Sequence, residues 1–345
     1  MKYAEQKHQY VKLFSNCFIT RGVARSIIVD GYRSGFNFVP NDLCDLIQEA
    51  ELRTLEQLYN EYGSENHLAI DEYLDFLLEK EYIFFASAQE KDCFPALPTQ
   101  WDYPGEIANA ILDIAEEGRY NVHEVLNQLD VLQCQALQLR IFSPKPSDWI
   151  EGLLQSSATL TFESINLFLA FDDSITDDFL KYLALAYQKI AGIVVHGAPS
   201  TRQVRDESIE KLATLIYIDA RLQDETHCGV VIPEYFSANL LHYTESLAAN
   251  SCLNRKIAVD RFGNIKNCPS MIESYGHASE VSLKAALAAE GFKTKWGIKK
   301  EQIEVCKVCE FRHICTDCRA YLAEPANGYS KPAKCSYDPY VGVWN

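Results

Sequence analysis

Apolar positions in the first ninety residues change period partway along. Residues 10–20 and 24–30 are runs of β-branched and aromatic side chains, 31–35 turns the chain, and Phe36-Asn-Phe-Val39 alternates. Three strands are predicted from this pattern. Pro40 and Asn41 then introduce a helix carried by Leu43, Leu46 and Ile47. Thr54-Leu-Glu-Gln57 fits a capping box and starts a second helix, with Leu55, Leu58, Tyr59 and Tyr62 as its apolar stripe. Ile70, Leu74, Leu77 and Leu78 recur at helical spacing in a third, and 82–85 is an aromatic strand. Strands followed by helices in so short a span make a small winged-helix pattern.

Residues 93–98 hold two prolines and read as a linker. Beyond it, strand-like and helix-like pieces alternate. Residues 107–114 suit a strand or a short helix. Residues 136–142, part of 159–170, 193–196 and 215–220 read as strands, and 121–130, 177–190 and 206–212 as helices. Such alternation predicts an α/β layer with a mainly parallel sheet, either a partial (β/α) barrel or an open sheet. The expected fold class is thus α+β followed by α/β. Its expected units are 1–92 (winged-helix-like), 99–240 (α/β) and 241–345 (cysteine-rich).

Charge narrows the function of the first unit. Residues 1–90 carry 8 Lys and Arg against 15 Asp and Glu, so a nucleic-acid duplex would be repelled and no nucleic-acid partner is expected. The same shape can take an extended peptide onto a sheet edge. The net charge of the chain is −16, yet from Cys252 onward 14 Lys and Arg outnumber 10 Asp and Glu. No run of 18 apolar residues occurs and the first nine residues are too polar for a signal peptide, so no membrane partner and a cytoplasmic location are expected.

Cysteine carries most of the candidate chemistry. Of 12 cysteines, seven crowd the carboxyl-terminal quarter: Cys252, Cys268, Cys306, Cys309, Cys315, Cys318 and Cys335. Clustered thiols in a reducing compartment point to metal before disulfide. The other five (Cys17, Cys44, Cys93, Cys134, Cys228) are far apart in sequence and read as small buried hydrophobes. Gly263 permits a tight turn between strands at 257–260 and 265–268, a hairpin that brings Cys252 near Cys268. Zinc with four thiolates and iron–sulfur clusters both remain open from spacing alone. Seven thiols divide as four plus three, leaving one site to be completed by a histidine or left open.

The order Cys252, ten residues, Gly263, four residues, Cys268, then Cys306-x2-Cys309-x5-Cys315-x2-Cys318 and a last Cys335 resembles the SPASM domain, the auxiliary-cluster module behind radical enzymes that modify peptides. The family pattern has three residues, not two, before the cysteine matched by Cys318. The resemblance implies two [4Fe–4S] clusters, one on Cys306, Cys309, Cys315 and Cys335, the other on Cys252, Cys268 and Cys318. The family often adds a cysteine just upstream of the first; none lies at 239–251, and His242 or an open iron would take its place.

Ser26-Ile-Ile-Val-Asp30, Asn41-Asp-Leu-Cys-Asp-Leu46 and Leu74-Asp-Phe-Leu-Leu-Glu-Lys-Glu-Tyr82 resemble the precursor-recognition domain of peptide-modifying systems, related to the pyrroloquinoline-quinone chaperone. That resemblance implies peptide contacts at Phe36, Phe38 and Leu74. Over its whole length, through Phe14-Ser-Asn-Cys17, Thr226-His-Cys-Gly229 and the stretch from Ser251 to Met271, the chain resembles the SPASM-domain maturases of grasp-with-spasm systems. The implied partners are a ribosomally made precursor peptide and an ATP-grasp ligase.

One ligand set is missing. Cleavage of S-adenosylmethionine needs Cys-x3-Cys-x2-Cys after the first barrel strand, and no such triplet exists; near 109–120 the chain offers Asp113, Glu116 and Glu117 instead. Leu139-Arg-Ile-Phe-Ser143 stands where a Gly-Gly-Glu-Pro motif belongs. Such cleavage is not expected, and catalysis of any kind is left open. No P-loop, dinucleotide loop or Gly-x-Ser-x-Gly elbow appears. His196 at a strand end reads as a hydrogen-bonded structural residue.

Overall fold

The computed structural model of the chain describes residues 2–116 and 120–345. The amino-terminal part follows the sequence pattern closely. Strands β1 (Tyr10–Leu13), β2 (Cys17–Arg21), β3 (Ser26–Asp30) and β4 (Gly35–Val39) precede helices α1 (Asn41–Ala50), α2 (Leu55–Tyr62) and α3 (His67–Glu79), and β5 (Ile83–Ala86) follows. The expected strand at 10–20 is two strands, broken by a turn at 14–16. The first of these pairs with β5 rather than with its neighbour, while β2, β3 and β4 form an antiparallel sheet. Thr54 caps α2 as its sequence predicts: its hydroxyl accepts from Gln57 N–H and the Gln57 side chain accepts from Thr54 N–H.

Every residue of β3 is buried, because its sheet is covered on both sides. Ile28 faces the three helices, packing with Leu43, Leu58 and Leu77. Ile27 and Val29 face the cysteine-rich region and pack with Phe311, Ile314 and Tyr337. A continuous apolar run is the signature of such a doubly covered strand.

The central sheet has eight strands. β6 (Asn109–Ile114) is a strand and not a helix. It is followed by α4 (Val122–Val131), β7 (Ala136–Ile141), α5 (Ser147–Ser157), β8 (Ser164–Ala170), α6 (Asp177–Ala186) and β9 (Ile190–His196). Then come β10 (Arg202–Val204), β11 (Thr214–Ile218), α7 (Leu240–Ala248), β12 (Lys256–Val259) and β13 (Ile265–Lys266). The expected helix at 206–212 is a set of turns, and α6 ends at Ala186 rather than running to 190. Strand order is β10-β11-β9-β8-β7-β6-β12-β13, open at both ends, so the sheet is not a closed barrel. Six neighbouring strands run parallel, and the two edge strands are antiparallel.

Side chains alternate across this sheet. Leu112, Leu139, Leu167 and Val195 face α4, α5 and α6 in one core, while Asp113, Arg140 and His196 lie on the opposite face. β12 and β13 belong to the cysteine-rich stretch yet extend the sheet, β12 pairing in parallel with β6. Gly263 turns between them at φ +90°, and a Cβ there would collide with His277 Nε2. Helix α8 (Leu283–Ala288) and a small hairpin of β14 (Tyr337–Asp338) and β15 (Val343–Trp344) complete the chain. Among the described residues no helix is long and apolar enough to cross a membrane.

Candidate metal centres

All twelve cysteines are free thiols. The resemblance sorts the seven of the carboxyl-terminal quarter into two groups, built from different segments. Cys306 starts a single 3₁₀ turn (Cys306–Val308), closed by Cys309 N–H donating to Cys306 carbonyl at 3.0 Å. Cys309 lies in the electrostatic field of Cys315 and Cys306, and Cys315 in that of Cys306 and Cys335. Lys334, beside Cys335, hands its carbonyl to Val231 N–H at 3.2 Å, which fixes the last segment against the body.

The second group forms around the β12–β13 hairpin. Asn250 Oδ1 accepts from the N–H groups of Cys252 and Leu253, at 3.0 and 2.8 Å, and shapes the turn that carries Cys252. Cys268 follows β13. Burial raises the pKa of both thiols, with Cys318 adding to the rise at Cys252 and Cys252 to that at Cys268.

A further thiol lies nearby. Cys228, read from sequence as a scattered core cysteine, acts on both Cys252 and Cys268. A Cβ on its neighbour Gly229 would lie 2.9 Å from Cys318 Sγ. The segment is tied down on both sides. Glu225 carbonyl accepts from Ser270 Oγ at 3.1 Å and Tyr321 hydroxyl at 3.4 Å, and Lys334 Nζ donates to Cys228 carbonyl at 2.7 Å. His242 is not in this group; its ring faces the main chain of Cys315, and burial lowers it to about 4.

Each group has one lysine. Lys256 Nζ sits 3.6 Å from Cys252 Sγ. Lys300, only 4% exposed, places Nζ 3.5 Å from Cys315 Sγ and 3.8 Å from Asp317. Burial alone would lower the pKa of the Lys300 ammonium, but Cys315, Asp317 and Cys306 more than offset it and hold the group above its ordinary value. The thiols show the reverse. Burial pushes Cys268 up to about 12, with Cys252 and Cys228 adding to the rise and Lys256 opposing it. Cys315 rises to about 11 for the same reason, against the pull of Lys300. Buried thiols stay protonated unless a metal takes the proton's place, and ligation deprotonates them outright.

Soft thiolates with a buried cation beside them fit an iron–sulfur cluster, whose bound form is anionic. They also fit zinc by donor type. Among the described residues no three His, Cys, Asp or Glu side chains are grouped as a single metal ion requires.

The end of β6, where a radical enzyme would carry its thiol triplet, holds an ion pair. Asp113 is fully buried and receives two hydrogen bonds from Arg140 on β7, at 2.6 and 2.7 Å. The pairing of Asp113 opposite Arg140 in the parallel register makes this contact. Burial pushes the Asp113 carboxyl up to about 6 against the attraction of Arg140. Glu116 lies just beyond, and Glu117 falls outside the described residues. His196 is buried, accepting from Leu222 N–H at Nδ1 (3.3 Å), so its Nε2 donates to Ile141 carbonyl at 3.1 Å. It is a structural group, as its sequence context suggests.

The expected peptide contacts separate. Leu74 is 1% exposed and belongs to the helix core, so its side chain is not at a surface. Phe36 is half-buried, edge-on to Phe311 at 5.8 Å between centroids. Phe38 is exposed on edge strand β4, under the Arg25 guanidinium at 3.6 Å. A separate apolar groove of about 610 Å³ runs between β1, the 93–99 linker and α7, lined by Phe14, Phe84, Phe94, Leu97 and Tyr243 among others.

The fold and the cysteine groups define a mixed α/β protein with a largely parallel central sheet and a cysteine-rich carboxyl-terminal region. No protein-family model matches the chain, and no curated protein does. Among solved structures it is similar to SuiB of Streptococcus suis bound to S-adenosylmethionine: 10% identity, 94% of this chain and 100% of that one, TM-score 0.38. A second structure of SuiB gives 9% identity over 90% and 96% of the chains, at TM-score 0.34. At these values the overlays fix neither family nor activity.

Proposed function

We propose that the chain is a maturation factor for a ribosomally made peptide. It would hold two iron–sulfur clusters in its carboxyl-terminal region and bind the precursor through its amino-terminal unit, beside an ATP-grasp ligase. The observation that supports the cluster part is a lysine set on a cysteine sulfur at two places, Lys256 on Cys252 and Lys300 on Cys315. Cys306, Cys309, Cys315 and Cys335 would hold one cluster, and Cys252, Cys268 and Cys318 would hold the other. Bound clusters would supply thiolate-held iron able to exchange electrons.

Peptide capture is supported by β4, an unpaired strand edge carrying exposed Phe38. An extended peptide can add to such an edge through main-chain hydrogen bonds. Lys300 and Lys256 would offset thiolate charge, and the Asp113–Arg140 pair would close the end of β6 with salt-bridged side chains where a thiol triplet would otherwise stand. Cleavage of S-adenosylmethionine is therefore not part of the proposal.

Iron and acid-labile sulfide in anaerobically purified protein test the clusters; stoichiometric zinc without sulfide would replace them with structural zinc. Isothermal titration calorimetry with the leader segment of the precursor peptide tests capture. No heat of binding, together with no effect on turnover by the ligase, would end the maturation reading.

A further inference from the structure

We infer that Cys228 is the fourth protein ligand of the Cys252, Cys268 and Cys318 site, so that this site is closed by protein. The inference rests on the two-cluster reading and adds to it a residue that cysteine spacing does not reveal. Two placements carry it. The turn at 225–229 is bonded to the residues just beyond both Cys268 and Cys318, through Ser270 and Tyr321. Gly229, at φ +82°, lets the main chain come so near that no side chain fits between it and Cys318 Sγ.

His242, by contrast, lies nearest the main chain of Cys315. On ligation the Cys228 thiol gives its proton to solvent and its sulfur forms one bond to iron; nothing is oxidised or reduced. A cubane with four thiolates has no open iron, so this site would transfer electrons or brace the fold rather than grip a substrate atom.

The test compares wild type with Cys228→Ala and Cys228→Ser, and with Cys93→Ser, which removes an exposed thiol. All are loaded anaerobically with ferrous iron and sulfide. Wild type should hold about eight irons per chain, and cyanide should leave its reduced electron paramagnetic resonance spectrum unchanged. The Cys228 variants should either fall to about half that iron or keep it and show a new cyanide-dependent spectrum. Iron retained in the Cys306 group shows that a variant is folded. Full iron with no cyanide response in Cys228→Ala, matching Cys93→Ser, overturns the ligand but leaves two clusters standing. So does a cyanide response in wild type. Wild type without iron ends the cluster reading and the ligand with it.

Discussion

Arg25, in the turn leading into β3, pairs with Glu310, the residue after Cys309, with Nε 2.9 Å from the carboxylate. Glu310 is fully buried and is also bonded by the Tyr337 hydroxyl. Beside this pair Val23 N–H donates to Val308 carbonyl at 2.9 Å, and Arg312 donates to the carbonyl of Arg21. The amino-terminal sheet thus grips the loop that carries Cys306 and Cys309.

Replacing Arg25 by Met should leave a buried carboxylate short of its cation, at a cost of about 2 kcal/mol given that Arg25 is one-third exposed. Urea unfolding measures it. Arg25→Lys should recover part of the loss. A loss below about 0.5 kcal/mol, the scale of ordinary surface changes, would show that the pair does not hold the two regions together.

Asp113→Asn should destabilise by about 3 kcal/mol, because Arg140 would be left buried without its counter-charge. Replacing both at once, Asp113→Leu with Arg140→Met, should cost clearly less than the two single changes added together. Additive losses in a double-mutant cycle would contradict a coupled pair.

His196 gives a pH dependence. Burial lowers its pKa, and Arg221 adds to the effect against the bond to Ile141. Protons therefore bind the unfolded chain first as pH falls below about 6.5. The contribution is fully present above that value and is lost below it, with a slope of at most about 1.4 kcal/mol per pH unit. Stability measured at pH 7.5 and 5.5 should fall less for His196→Gln than for wild type. An equal fall in both would assign the acid sensitivity to other groups.

Lys300→Met should make the reduction potential of the Cys306-group cluster more negative, since it removes a buried positive charge beside Cys315. Lys300→Arg should stay nearer wild type. A potentiometric titration followed by electron paramagnetic resonance reads the shift; an unchanged potential in Lys300→Met would mean that the ammonium is compensated by Asp317 alone.

Gly229→Ala should disturb only the Cys228 group. Its φ of +82° costs an L-residue roughly 1–2 kcal/mol, and the new methyl would collide with Cys318 Sγ at 2.9 Å. Iron content should drop by about half, as for one of two cubanes, with the Cys306 group still loaded. Full loading would show that the loop yields without moving the sulfur.

Local signals in the sequence carried over well. The Thr54 capping box, the turn at Gly263 and the aromatic strand at 82–85 depend on neighbours a few residues away, and each has its expected form. Residues 206–212 have helical spacing but settle into turns, stapled by Asp206 carboxylate to Ser208 N–H and hydroxyl. Helix α5 carries Ile150, Leu153 and Leu154 on one face, a readable stripe that Gly152 and the preceding prolines obscure. Two features were not legible. Asp113 meets Arg140 through strand register, which spacing does not encode. Cys228 stands 24 residues before Cys252, and its segment is tied by tertiary hydrogen bonds to residues that follow Cys268 and Cys318.

The parallel pairing of β12 with β6 joins what composition suggests are separate pieces. Any truncation ending before Lys256 would strip the sixth parallel strand from the sheet and bare the amides and carbonyls of β6. An exposed flat edge of that kind recruits other chains. Attempts to produce the front portion by itself should therefore yield aggregates, and swapping the cysteine-bearing tail between homologous chains would mean rebuilding the middle of the molecule.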